Sequence, residues 1–381
     1  MTTVVHSVRL IDDGRIAENA WTAFGDGVVV ATGTGDDWRA LPVSDVVDGG
    51  GGILTPGFID LHGHGGGGCA FDDGADAVRT ARAVHLAHGT TRAVLSLVTA
   101  SVDDLAARVR TIAELAGDDA TILGSHLEGP FLDPGHKGAH TERLLRTPDA
   151  ETVDRLLAAG AGTVRQVTLA PELPGALDAV RRFVGGGARV AVGHTGATAA
   201  EASAAFDAGA TLLTHAFNAM PGIHHRAPGP IVAALGDDRV TLEVIADGVH
   251  VHPAVVALAF AGAPGRIALI TDAMAAAGAG DGHYDLGGLA VTVTDGTARL
   301  DEGGAIAGST LTQDAALRTA VSAGVDLVEA VAALTSVPAR ALGEQRRYGT
   351  LRPGAAGDAV LLDDTLSVRG VWVDGVRTAG T

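Results

Sequence analysis

Between residues 53 and about 344 the chain alternates almost unbroken apolar runs with alanine-rich stretches of helical spacing. Eight runs stand out: GFIDLH (57–62), TRAVLSLVT (91–99), TILGSHLE (121–128), VRQVTLAPE (164–172), ARVAVGHT (188–195), TLLTHAFN (211–218), TLEVIAD (241–247) and RIALITD (266–272). Unbroken apolar runs are what strands buried on both faces require. Between them, DDLAARVRTIAEL (103–115) and ATAAEASAAFDAG (197–209) carry the apolar spacing of helices. Eight strand–helix alternations predict an α/β fold, a (β/α)8 TIM-type barrel. An open doubly wound sheet would give the same alternation.

The two ends read differently. VVHSVRLID, WTAFGD and GVVVATG near the start, and DAVLLD and LSVRGVWVDGVRT near the finish, are short valine-rich runs broken by Gly and Asp turns. They predict a small β-sandwich-like domain of residues 1–52 and 347–381 beside a barrel of 53–346, since chain ends often lie close together. Within the barrel region, 284–308 reads as a β-hairpin insertion, and GGGG at 65–68 as a mobile loop.

Composition narrows the class. The net charge is −18, which opposes binding to a phosphate backbone and so excludes a nucleic-acid partner. The single cysteine, Cys69, cannot form an internal disulfide and reads as a small buried residue. No apolar run reaches the length of a membrane span, and the first residues lack the pattern of an export signal, so a cytoplasmic protein is expected. Hydrophobic residues make up 46%, enough for a large core.

Chemistry gathers at the strand ends. The first run ends in His62-Gly63-His64, the third in His126-Leu127-Glu128, the fifth in Gly193-His194, the sixth in Thr214-His215 and the eighth in Thr271-Asp272. In a barrel these ends converge on one mouth, so side chains remote in the chain would meet. Imidazole and carboxylate suit zinc, iron and related divalent ions, and such an ion makes hydroxide available near neutral pH. Singly, each residue has an ordinary alternative: a hydrogen-bonded rim histidine, a loop carboxylate, a helix cap. Five ordered strand ends together point to a shared metal site. The only lysine, Lys137, lies in the loop DPGHKGAH rather than on a strand, so a bridging carbamate is not expected and Glu128 is the bridging candidate.

The segments GFIDLHGHGG, SHLEGPFLDPGHKGAH, VGHTGAT, THAFNAMPGIHHRAPG, VIADGVHVHP, LITDAM and AGSTLTQDAAL occur in this order. Together they resemble the N-acetylglucosamine-6-phosphate deacetylases of the amidohydrolase superfamily, over essentially the whole chain. The resemblance implies hydrolysis of the acetamide of N-acetylglucosamine 6-phosphate to glucosamine 6-phosphate and acetate. It implies a homodimer with one or two divalent ions per subunit: zinc first, with iron, manganese or cobalt as alternatives. Carried over, Glu128, His194 and His215 match metal ligands, and His62 and His64 match those of members with two metals. Asp272 matches a catalytic aspartate that also touches metal, and His250 the histidine that contacts the acetamide carbonyl. Ala139, His140, Asn218, Ala219, Arg226, Ile306, Ala307 and Gly308 match sugar and phosphate contacts, with Arg226 reaching the neighbouring subunit's site. One departure is His136, where the family usually has a basic residue before the lysine.

The mechanism expected from these residues has a metal-bound hydroxide attack the amide carbon while the metal and His250 polarise the carbonyl. Asp272 would accept the proton and return it to the leaving nitrogen. The rival readings are a deacetylase of N-acetylgalactosamine 6-phosphate or of an unphosphorylated amino sugar, a cyclic-amide hydrolase or nucleobase deaminase, and a non-catalytic barrel that only binds. The other histidines, His85, His88, His252 and His283, are expected to be structural or at the surface.

Overall fold

A computed structural model describes residues 2–379; residue 1 and residues 380–381 of the terminal segments lie outside the described residues. All eight apolar runs form strands, and they line up in chain order as one parallel sheet. The barrel strands are Phe58–Asp60, Thr90–Val98, Ile122–Glu128, Val164–Leu169, Arg189–Val192, Leu212–Leu213, Thr241–Ile245 and Ile267–Ile270. The sheet curls until its first and last strands meet. There the N–H of Asp272 donates to the carbonyl of His62 at 2.8 Å, and that of His64 to Ala273 at 2.7 Å. The buried Asp60 completes the seam by accepting the hydroxyl of Thr271 at 2.6 Å.

Helices cover the outside for local reasons that are plain in the chain. Val102–Asp118 starts at Ser101, whose hydroxyl accepts the N–H of Asp104, and buries Leu105, Ala106, Val109, Ile112 and Leu115 along one stripe. Ala199–Ala208 begins with a reciprocal cap between Thr198 and Glu201 and ends at Gly209, φ +117°.

The stretch after the eighth strand is not a simple hairpin. It is a three-stranded antiparallel meander, Gly282–Leu286, Leu289–Thr294 and Thr297–Leu300. Two tight reversals produce it, Gly287-Gly288 and Asp295-Gly296, with both residues of each at positive φ. Its apolar face packs Leu286, Val291 and Val293 on Val98, Met274 and Ala307 beside the barrel mouth.

Both chain ends build one eight-stranded sheet. Thr2–Asp12 pairs along one edge with Asp45–Asp48 and then with Ile53–Pro56, with Ser7 at φ +54° between the two ladders. Ile53–Pro56 runs antiparallel to Ala359–Leu362. Val5, Phe24, Leu54 and Trp372 form one apolar cluster of this single sheet, and Val4, Trp21 and Trp38 another. Arg92, fully buried at the start of the second barrel strand, ties barrel to sheet. It holds Asp358 through two hydrogen bonds of 2.6 and 2.8 Å and Asp374 through one of 2.7 Å.

The glycines 65–68, expected to be mobile, are strapped down. Gly65 donates to Ala273, Gly67 to Ala277 and Gly68 to Ala275, and His85 donates its Nε2–H to the carbonyl of Gly65 at 2.8 Å. The absence of side chains serves close approach: a Cβ on Gly65 would stand 2.3 Å from the carbonyl oxygen of Cys69. Cys69 itself is half-buried rather than part of the core.

Candidate metal centre and cavity

Six side chains from five strand ends form two touching groups: His62, His64 and Asp272, and Glu128, His194 and His215. Glu128 joins them. Its Oε1 lies 3.3 Å from His62 Nε2, 3.1 Å from His194 Nε2 and 3.2 Å from His215 Nε2. Its Oε2 lies 3.1 Å from His64 Nε2 and 3.3 Å from His140 Nε2. Asp272 Oδ1 sits 3.5 Å from His62 Nε2 and 3.3 Å from His64 Nε2.

Three of the six hold backbone conformations that side-chain-bearing residues rarely adopt: His194 at φ +47°, His215 at φ +27° and Asp272 at φ +47°. Such strain persists where the surroundings over-determine it, and it gathers at functional sites. Here it turns the side chain inward just past the last residue of the strand. Gly193 makes room for this turn, since a Cβ there would meet Thr214 Cβ at 2.7 Å and Thr168 Cγ2 at 2.9 Å.

The donor set fits a cation. His62 Nε2 and His64 Nε2 are 3.2 Å apart, and His194 Nε2 and His215 Nε2 are 2.9 Å apart. Two neutral imidazoles cannot both aim a lone pair at the other without something positive between or beside them. The outer nitrogens agree with this: His194 Nδ1 donates to the carbonyl of His136 at 2.9 Å, which leaves Nε2 as the lone-pair side. The electrostatics lean the same way. Burial opposes charge on His62, but Glu128 and Asp272 outweigh it and hold the imidazole well above its ordinary range. His64 is pushed up to about 9, against burial, by hydrogen bonds to Asp272 and Glu128. Burial would raise Glu128 and Asp272, yet the surrounding histidines hold both carboxyls well below the usual carboxylate range.

This centre forms the floor of a cavity of about 400 Å³. Ala139, His140, Asn218, Ala219, His250, Ile306 and Gly308 line it, as do His136, Met220 and Leu286. His250 is set by an Asx turn. Asp247 accepts the N–H groups of Val249 and His250, and its Oδ2 accepts His250 Nδ1–H at 2.7 Å. Burial lowers the imidazole's affinity for a proton, but Asp247 more than compensates and raises it above the ordinary value. Burial lowers the pKa of His140 to about 4, which leaves its ring neutral near pH 7.

Some expected residues stand elsewhere. Ala307 is fully buried, with its N–H bound to Ala298, so only its neighbours Ile306 and Gly308 face the cavity. Arg226 is exposed, contacts His225, and is not among the residues lining the cavity; nor is any other arginine or lysine. His126, offered at the third strand end, lies beneath the centre between Ser96 and Thr168, each at 2.8 Å. His252 accepts the N–H of Ala254 and caps the helix Pro253–Gly262.

Sequence reasoning overlooked Asp60, Glu243 and Asp247. Asp60 and Asp247 each lie within three residues of a singled-out histidine, in FIDLH and ADGVH, a signal that was available. Glu243 is a lone charged residue inside the apolar run TLEVIAD, and that interruption was its only mark.

A profile of the amidohydrolase family matches residues 53–378. Among curated proteins, the N-acetylgalactosamine-6-phosphate deacetylase of Escherichia coli O157:H7 is 41% identical over 98% of this chain and 99% of its own length. The N-acetylglucosamine-6-phosphate deacetylase of Bos taurus is 38% identical over 86% of this chain and 84% of its own. Among solved structures, the N-acetyl-D-glucosamine-6-phosphate deacetylase of Mycobacterium smegmatis aligns with a TM-score of 0.93 at 41% identity, covering 100% of both chains. The N-acetylglucosamine-6-phosphate deacetylase from Pasteurella multocida aligns at 0.95 and 27% identity, again over 100% of both.

Proposed function

The chain belongs to the amidohydrolase family, and from that premise we propose that it removes the acetyl group of N-acetylglucosamine 6-phosphate, giving glucosamine 6-phosphate and acetate. The observation that carries this reading is the joined cluster of Glu128, His194, His215, His62, His64 and Asp272 at the floor of a cavity of sugar size. A divalent cation held by these six side chains would supply Lewis acidity toward a carbonyl oxygen and make a water molecule more acidic. The imidazole-rich donor set suits zinc first, then iron, manganese or cobalt.

The protein's own groups do the rest. Asp272, kept ionised by the two histidines beside it, accepts a proton from the attacking water. It returns that proton to the sugar nitrogen as the C–N bond breaks, so that an amine leaves rather than its anion. His250, its Nδ1–H held by Asp247, donates Nε2–H to the acetamide oxygen as the imidazolium, the form that the Asp247 carboxylate favours against burial, and a donor at that position typically contributes about 2.7–4 kcal/mol to the barrier reduction. Asn218, Ala219, His140 and the Ile306 and Gly308 stretch border the space left for the sugar.

The cavity offers a dianionic phosphate no arginine or lysine among its lining residues. Arg226 is exposed on a loop beside the exposed apolar Ile223. We therefore assign Arg226 to the site of a second copy in a homodimer, where its planar fork suits a phosphate. A phosphorylated sugar as substrate favours a cytoplasmic place of action, and among the described residues no helix is long and apolar enough to cross a membrane.

The second reading is the galacto epimer, favoured by the 41% identity to a deacetylase of N-acetylgalactosamine 6-phosphate. Acetate release measured side by side on the gluco phosphate, the galacto phosphate and unphosphorylated N-acetylglucosamine decides between them. The proposal expects the highest kcat/KM on the gluco phosphate. A preference for the galacto phosphate moves the assignment to the second reading, and no release from any of the three removes the deacetylase assignment.

A further inference from the structure

The two halves of the ligand cluster are supported unequally from behind. In the half made by Glu128, His194 and His215, the outer nitrogen of His194 meets a backbone carbonyl. In the half made by His62, His64 and Asp272, the outer nitrogen of His62 faces a carboxylate: Nδ1 lies 3.4 Å from Oε2 of Glu243. Glu243 is completely buried on the seventh barrel strand. Its Oε1 accepts the side-chain N–H of Gln166, also fully buried, at 2.7 Å. The outer nitrogen of His64 has no partner, so His62 is the one imidazole of its half that is oriented from outside.

We propose that Glu243 is a positioning residue for the His62–His64–Asp272 half, holding His62 with its proton on Nδ1 so that Nε2 presents a lone pair to a divalent cation. The proposal rests on the metal reading of the cluster given above. A carboxylate only accepts hydrogen bonds, so the nitrogen facing it must carry the proton, and in a neutral imidazole the other nitrogen is then bare. A backbone carbonyl fixes a tautomer in the same way but brings no charge. A carboxylate also makes the ligand more basic, and partners of this kind commonly govern metal affinity. The role belongs to the side chain alone. The backbone carbonyl of Glu243 is engaged separately, accepting the N–H of Ala216 at 2.7 Å, and that bond survives a change of side chain.

Glu243→Gln isolates the effect because it keeps the shape. Its carbonyl oxygen can still accept from Gln166, which turns the new NH2 group toward His62 Nδ1. That nitrogen must then accept, and the proton moves to Nε2, where it points into the ligand cluster. Metal-free wild type and variant are titrated with Zn²⁺ by calorimetry, and bound metal is counted per chain by mass spectrometry after dialysis. The wild type is expected to take up two ions. In Glu243→Gln one of the two is expected to bind about 10–100-fold more weakly, while the other changes by less than about twofold. Glu243→Asp, which retains an acceptor, is expected to recover part of the lost affinity. Circular dichroism and the melting temperature of the metal-free forms control for folding.

Two ions bound with wild-type affinity in Glu243→Gln would overturn the proposal, and so would an equal weakening of both, the mark of a merely structural role. A wild type that binds one ion overturns it while leaving the Glu128–His194–His215 reading intact. A wild type that binds none removes the metal reading and this inference together.

Discussion

At the scale of single residues, the two carboxylates of the cluster differ in position. Glu128 touches five imidazoles and lies at the centre, whereas Asp272 touches only two and stands at the cavity wall. Asp272→Asn preserves the shape and one oxygen but cannot take up a proton. Turnover per bound metal ion should fall by about 10²–10⁴-fold, read from acetate release divided by metal content. Retained activity would leave Asp272 as a ligand without a proton role. His85 gives a separate, structural prediction. Burial lowers its pKa to about 4 from an ordinary 6.5. Between those values the unfolded chain binds a proton that the folded chain refuses, so this contribution to stability is complete above pH 6.5 and is lost as pH falls toward 4. His85→Gln keeps a donor for the Gly65 carbonyl and removes the titration. Its unfolding free energy, followed by urea denaturation, should depend less on pH across that window than that of the wild type.

At the scale of elements, the apolar runs were legible because buried parallel strands leave no room for polar interruptions, and each of the eight was found where its run lies. The runs overstate the ladders, however. TLLTHAFN contributes only Leu212–Leu213 to the sheet: His215 and Phe217 adopt positive φ, the chain leaves the ladder, and His215 and Asn218 reach the cavity. The candidate ligands lie just beyond these ladders, so the groups that come together could be named from their place at strand ends while the exact end of each strand could not. GGGG was misjudged for a related reason. Glycine in a sequence signals freedom or close approach alike, and the partners that decide between them, Ala273 to Ala277, are far away in the chain. Glu243 and Gln166 were illegible as supports because an isolated polar residue in a strand gives no sign of what it faces across the barrel. Gly193→Ala tests how tightly strand packing sets ligand geometry. The added methyl must displace Thr214 or Thr168, and overpacking of this kind costs about 1–3 kcal/mol. Thermal unfolding should show that loss, and metal titration should show weaker binding at the half that contains His194.

At the scale of the whole molecule, the site depends on parts beyond its barrel. An acidic chain that accepts a dianion needs a local positive charge, and the role proposed above for the exposed Arg226 is to provide it to another copy. Arg226→Ala should raise KM for the phosphorylated sugar far more than for the unphosphorylated one; equal effects on both would remove the phosphate role. Because the arginine would act across an interface, mixing Arg226→Ala chains with Asp272→Asn chains should restore part of the activity, since some sites then combine an intact aspartate with an intact arginine.

The sheet made from both ends of the chain has a further consequence during synthesis. A ribosome releases Ile53–Pro56 early, but its partner Ala359–Leu362 emerges only after about three hundred more residues, and domains otherwise tend to complete in the order they are made. Until then the nascent chain carries an open strand edge, and Arg92 lacks both Asp358 and Asp374. A product cut short before residue 358 therefore would not be a slightly smaller enzyme; it would be a barrel with a buried cation stranded at its base and an adhesive edge beside it, a natural target for chaperones and proteases.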